Sequence, residues 1–331
     1  MHVRLRLDGK TLTVLAGKHG AGFEVISERS DGLRQFVALF AFLSREGIVD
    51  SDNIVLTDEV ETHLHYDAQA DLVQMLARQK LARQVIYTTH SIGALPEDLG
   101  LGVRLIQPSA ENASEIINKF WAQNTRGLSP VLIGMGAATM AFLPVRYCLL
   151  TEGSTDMLLL PALIREATRK EALLFQISPG LSEASDRQIA ILRNEGRRVL
   201  YLVDGDDGGD SIRTKLRRAG VPDEEIISLN DVNPSVVEDY IKKEIYHAAV
   251  NEELRRSGHK SEIFIQEMPD HLRPTFVTKW CEANGVKQPN KVDVAYRALE
   301  QLEEGEFTEP ARAEELRVLY EKIVRVFHGP S

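Results

Sequence analysis

Hydrophobic positions along the chain follow two rhythms, and the switches between them mark out the elements. In HVRLRLDGKTLTVL (residues 2–15) apolar side chains alternate on both sides of Asp8-Gly9-Lys10, the pattern of an antiparallel hairpin. From Asp31 to Ser44 the period changes: Leu33, Phe36, Val37, Phe40, Ala41 and Leu43 recur at helical spacing behind Ser30-Asp31, a suitable N-cap. NIVLTDE then reads as an apolar strand ending in acids, 67–79 as a second helix, QVIYTTHS as a strand and GVRLIQ (102–107) as a third strand. Strands alternating with helices predict a parallel sheet.

Residues 108–145 read as a connection, polar at first and then small and apolar through IGMGAATMAFLP, with a boundary near Pro144. The rhythm then restarts: RYCLLTEG is a strand, STDMLLLPALIREA a helix, ALLFQIS a strand, followed by a helix through about Arg193, the strand RRVLYLV ending in DGDDGGD, and EEIISL. From Pro234 onward the pattern is helical and charged. The expected fold class is α/β. It has a first region over 1–143 with parallel strands, a parallel sheet flanked by helices over 144–233, and a helical extension over 234–331.

The 331 residues, 43 % hydrophobic and 27 % charged, can bury a real core and suit two or three domains. Two cysteines, Cys148 and Cys281, are too few for a disulfide framework or a thiolate zinc site. With no signal-peptide pattern and no membrane-length apolar run, a cytoplasmic protein without membrane association is expected. The net charge, 39 − 49 = −10, argues against holding nucleic acid by bulk electrostatics, so any such site must be local or metal-assisted. The acidic excess lies mostly in the second half.

Two clusters carry chemistry. In IVLTDEVETHL, Asp58 and Glu59 sit directly beyond an apolar strand, where ligands of parallel sheets bind; such a pair can hold Mg²⁺ and polarise a water toward a γ-phosphate. The next strand ends in Thr88-Thr89-His90-Ser91, which supplies a strand-end histidine. His63 and His65, flanking a leucine, fit poorly with a closed zinc site and read as loop residues. In the second half, YCLLTEG ends in Glu152 and is followed by a helix carrying Asp156, and VLYLVDGDD ends in Asp204, Asp206 and Asp207. Parallel strands bring those two ends together, and carboxylates at that density repel unless cations neutralise them, so Mg²⁺ or Mn²⁺ in oxygen coordination is expected. Asp207 and Asp210 are extra acids whose alternative role is solvation.

The first cluster resembles the C-terminal lobe of ABC-type ATPases of the SMC and RecF kind. Ser30-Asp31-Gly32 is similar to their signature loop, Asp58-Glu59 to Walker B with its catalytic glutamate, Glu61 to Asp67 to the D-loop, and His90 to the switch histidine. No G-x-x-x-x-G-K-[ST] occurs: Gly9-Lys10-Thr11 has Arg4 where the first glycine belongs, and His19 follows Gly17-Lys18. The resemblance therefore implies use of ATP and Mg²⁺ only together with a missing N-terminal half or a partner chain.

The second cluster resembles the Toprim domain of topoisomerases, primases and nucleases. An ABC-type lobe followed by Toprim is the order of the overcoming-lysogenization-defect (OLD) family of nucleases, which the chain resembles over almost its whole length. The resemblance implies a metal-dependent DNA endonuclease with two divalent cations, DNA as partner, a possible homodimer and a role in phage defence. It assigns Glu152, Asp204 and Asp206 to catalysis and metal binding, Asp156 and Glu238 to the metals, and Lys291 to catalysis. Asp239 competes with Glu238 and Lys287 with Lys291, and Asp156 has the alternative role of favouring a helix N-terminus. Two rival readings remain: a non-catalytic, ATP-responsive assembly module, and a primase or topoisomerase fragment, for which neither a nucleophilic tyrosine element nor a zinc module is evident.

Overall fold

The computed structural model describes residues 2–17, 22–28, 31–43, 53–79, 82–108, 113–118, 147–182, 184, 186, 189, 198–230, 234–302 and 306–328. The chain packs as two compact units, Met1–Pro96 with Phe142–Pro144, and Glu97–Ala141 with Val145–Ser331.

In the first unit the alternating N-terminus forms the expected hairpin. Strand β1 (His2–Asp8) pairs antiparallel with β2 (Thr11–Gly17), and β3 (Phe23–Val25) adds to β2 in register Leu15↔Val25. Helix α1 is Asp31–Leu43, so of the expected helix only Ser44, with the N-cap Ser30, lies outside the described residues. Strands β4 (Ile54–Thr57) and β5 (Gln84–Tyr87) pair in parallel, in register from Ile54↔Gln84 to Thr57↔Tyr87, with α2 (Tyr66–Arg78) as the crossover. The apolar stripe of α2 packs Leu72 and Leu76 with Val60 against Phe36 and Leu39 of α1 and Val55 and Val85 of the strands. A side chain on Gly32 would place its Cβ 2.2 Å from the His63 carbonyl oxygen, so the first turn of α1 can touch the loop after β4 only because residue 32 has none.

The expected third strand of that sheet pairs elsewhere. Strand β6 (Leu105–Pro108) forms an antiparallel hairpin with β7 (Ser114–Ile117), and the segment from Glu97 belongs to the second unit. There the chain packs on distant residues: Asp98 pairs with Arg165 at 2.7 Å, and the backbone at Gly100 lies against Leu158. An apolar run announces a strand but not its partner.

The second unit is built on a four-stranded parallel sheet of order β11-β10-β8-β9, with β8 Tyr147–Leu150, β9 Gln176–Ser178, β10 Arg198–Val203 and β11 Ile226–Ser228. Helix α3 (Ser154–Thr168) follows β8 and α4 (Asp207–Arg218) follows β10. Leu158, Leu159, Leu160, Leu163 and Ile164 of α3 are fully buried, as expected for a helix apolar on all sides. The helix expected to run through Arg193 falls largely outside the described residues. The charged C-terminal part is helical as predicted, comprising α5 (Lys243–Arg256), α6 (Arg273–Asn284), α7 (Lys291–Leu299) and α8 (Ala313–His328). It is no separate body: Phe327 of α8 lies 5.1 Å from Tyr147 and 5.9 Å from Phe175, ring to ring. Among the described residues no helix is long and apolar enough to cross a membrane.

Candidate functional site

The strand order sets the position of the second cluster. The chain leaves β8 toward β9 on one side and returns to β10 on the other, so the loops after β8 and β10 diverge and open a crevice at their carboxyl ends, the usual ligand position in such sheets. Glu152 and Asp204 lie at those two ends, and a carboxylate oxygen of Glu152 accepts the Asp204 N–H at 2.8 Å. Asp206 N-caps α4 by accepting the Gly209 N–H at 2.9 Å. A Cβ on Gly209 would lie 2.1 Å from the Asp204 carbonyl oxygen, so glycine there lets the helix start against the strand end. Asp156, in the first turn of α3, accepts the Gly153 N–H at 2.9 Å. The capping role open to Asp156 in the sequence is thus filled, on a side chain that is buried beside the other acids.

The C-terminal helices complete the cluster. Asp239 is fully buried and accepts three backbone N–H groups, from Val236 at 3.1 Å, Leu272 at 2.8 Å and Arg273 at 3.1 Å, so it fixes the chain and has little capacity left. Glu238, also buried, interacts instead with Lys291 and Asp206. Lys291 opens α7 behind Asn290, whose side chain accepts the Val292 N–H at 2.9 Å. It borders a recess lined by Tyr246, Val250, Val277 and Val294, apolar surface along which a lysine stem can lie. Its charge acts on Glu152, Asp156 and Glu238. The six residues singled out in the second half therefore come together, from strand ends and helix starts far apart in sequence.

Their electrostatics are those of crowded buried acids. Burial, then Asp156, Glu152, Glu238 and Asp206, hold the Asp204 carboxyl well above the usual range. Burial, with Glu238 and Glu152, pushes Asp156 up to about 7, against the opposing Gly153 N–H and Lys291. Burial raises Glu152 and Glu238 as well, with Lys291 opposing both. Such groups bind protons for lack of another cation, and hard carboxylate oxygens are the donors that Mg²⁺ and Mn²⁺ prefer. The donor chemistry fits a divalent ion. Among the described residues, however, no group of three or more His, Cys, Asp or Glu side chains is placed to hold a metal ion.

A pH effect follows. The folded state holds the Asp156 proton more tightly than the unfolded chain, so the stabilisation from that proton is full below the unfolded carboxylate range and is lost as pH rises through about 7. The thermal midpoint in EDTA should fall between pH 5 and pH 8, and Asp156→Asn, which keeps an oxygen for Gly153, should flatten that fall. Equal slopes in the two proteins would show that Asp156 is not the group responsible.

In the first unit the parallel register sets the ends of β4 and β5 side by side. The Glu59 N–H donates to the Thr88 hydroxyl oxygen at 3.0 Å, and that hydroxyl donates to Asp58. His90 Nε2 is 3.3 Å from a Glu59 oxygen, both side chains being exposed. Asp58, Glu59 and His90 thus meet; Gly32 abuts the same loop through His63, and Ser30 lies outside the described residues. His63 is a loop residue and His65 precedes the first turn of α2. Sequence reasoning missed the role of Glu61. It is buried, accepts from the Thr89 hydroxyl and, at 3.2 Å, from the His90 N–H, and so holds the turn that presents His90. Its signal was the third acid in DEVE.

Residues 5–95 match the family model described as an AAA domain, putative AbiEii toxin, of a type IV toxin–antitoxin system. That segment holds Gly32, Asp58, Glu59 and His90, and it is similar to an ABC/AAA-type ATPase lobe. No curated protein matches the chain.

Proposed function

We propose that the chain is a metal-dependent DNA endonuclease of the OLD kind, with a Toprim-type site in its second unit coupled to the ATPase-like domain of the first. One observation carries the reading. Four carboxylates, buried Asp156 and Glu238 and half-buried Glu152 and Asp204, are gathered with Asp206 at the open end of a parallel sheet beside one lysine, and desolvation with mutual repulsion raises the proton affinity of all four. A structural ion network would pair its acids; this one leaves them in excess.

Glu152, Asp156 and Glu238 would hold one divalent cation, and Asp204 and Asp206 a second. Bound there, the ions would supply an activated water and stabilise the leaving oxygen of a phosphodiester. The chain's own contribution is placement. The Asp204 N–H orients Glu152, the Gly153 N–H orients Asp156, and the N-capping bond of Asp206 fixes the turn between Asp204 and α4. Lys291 adds fixed positive charge where a phosphate gathers negative charge. The overall charge of −10 is compatible with a DNA substrate because bound dications dominate the local field. The test is cleavage of supercoiled plasmid with Mg²⁺ or Mn²⁺, abolished by chelator. An uncut plasmid at saturating metal would overturn the reading.

ATP turnover by this chain alone is expected to be absent. With no glycine-rich cradle and its lysine, the β- and γ-phosphates have no positioned donors for Asp58 and Glu59 to work with. Phosphate release from purified chain that Glu59→Gln abolishes would contradict this and imply an unrecognised phosphate loop.

A further inference from the structure

Arg312 ends a short turn before α8, and its side chain is almost wholly buried. Burying a guanidinium is costly, and apolar residues of similar volume generally pack as well. What the guanidinium supplies is direction, because its planar fork donates to several acceptors at once. One end donates to the Ser235 hydroxyl at 3.1 Å. The other donates to His271 Nδ1 at 2.6 Å and to the Asp270 carbonyl at 3.4 Å, and the group lies 5.0 Å over the Tyr240 ring. Three chain segments are held together by one side chain.

One of them touches the acid cluster. Ser235 is fully buried, and its carbonyl accepts the Gly205 N–H at 2.9 Å, the residue between Asp204 and Asp206. The same segment runs on into the turn bearing Glu238, whose carbonyl, with that of Ile241, accepts from the buried Arg273 at 3.3 and 2.6 Å. A shift at Ser235 would therefore move the acids after β10 and Glu238 together. We propose that Arg312 is a positioning residue for the acid cluster, acting through Ser235 on the Asp204-Gly205-Asp206 turn and on Glu238; as a contribution to catalysis this rests on the nuclease reading above.

The experiment compares Arg312→Ala, Arg312→Lys and, as a stability control, Asn251→Ala, which unpins residue 263 from α5. Three readouts are taken: hydrogen exchange at the Gly205 amide, Mn²⁺ affinity by calorimetry, and plasmid cleavage. Arg312→Ala should speed Gly205 exchange and weaken Mn²⁺ binding about ten- to a hundredfold, the range for losing an outer-shell partner, with cleavage falling in step. Arg312→Lys should recover part, since an ammonium reaches one acceptor but not both sides of the fork. Asn251→Ala should lower the thermal midpoint and leave Gly205 exchange and Mn²⁺ affinity at the parent values. Should Arg312→Ala fail to fold, Ser235→Ala, which deletes only the hydroxyl that Arg312 holds, takes its place with the same expected directions. The proposal is overturned if Gly205 exchange and Mn²⁺ affinity stay at parent values while stability falls, or if Asn251→Ala moves them equally. If the parent neither binds Mn²⁺ nor cuts plasmid, it is the nuclease reading that fails, and the link from Arg312 to the turn stands or falls on Gly205 exchange alone.

Discussion

Asp204→Asn should lower divalent-dependent cleavage by more than about a hundredfold, beyond the ten- to hundredfold typical of outer-shell changes, while raising the thermal midpoint of the protein in EDTA. The two effects share one cause. Asp204 is half-buried beside Asp156, Glu152, Glu238 and Asp206, and without a cation its charge is opposed by all four. The amide keeps the shape and removes the repulsion, so the metal-free fold gains stability. The same change deletes a hard anionic donor, so ion binding suffers. Calorimetry with Mn²⁺, melting curves with and without chelator, and plasmid cleavage separate the two. A carboxylate kept only for the fold would show the reverse, a lower midpoint in chelator. That outcome would remove Asp204 from the site.

Lys291→Ala should reduce the cleavage rate by about ten- to a thousandfold, the range for losing one charge-stabilising donor, with little change in Mn²⁺ affinity. Lys291 acts electrostatically on Glu152, Asp156 and Glu238 from the start of α7, whereas Lys287 lies before the N-cap Asn290, outside the helix. Lys287→Ala should therefore cut like the parent. Lys291→Arg should recover part of the rate, because the positive charge persists on a broader head. Normal cleavage by Lys291→Ala would make this end of α7 scaffold. A defect in Lys287→Ala alone would assign the role to the neighbouring turn.

Most of the site-bearing elements were legible because an apolar run ending in acids is a strong local signal; YCLLTEG and VLYLVDGDD say both where a strand stops and what stands there. Residue-level choices were less legible. Glu238 and Asp239 are adjacent carboxylates with the same composition around them, and only folding shows that Asp239 is consumed by three N–H groups brought from 236 and from the start of α6. GVRLIQ carries a strand pattern, but the strand formed there is Leu105–Pro108 and it pairs with β7 outside the parallel sheet, because pairing is decided by packing that the local pattern does not encode. Arg273 and Arg312 left no trace in the pattern, since an arginine in a charged helical stretch reads as solvated until its acceptors are known.

The wide spacing of the clustered residues also bears on synthesis. Glu152, Asp204, Glu238 and Lys291 enter the chain in that order, so the acids are made before the cation that opposes their repulsion. At typical elongation rates of about 5–20 residues per second, α7 follows the Glu238 turn by several seconds. During that interval the nascent chain carries these acids before Lys291 exists to oppose their repulsion. The late helices thus close the fold and bring Lys291 to the acids in one step.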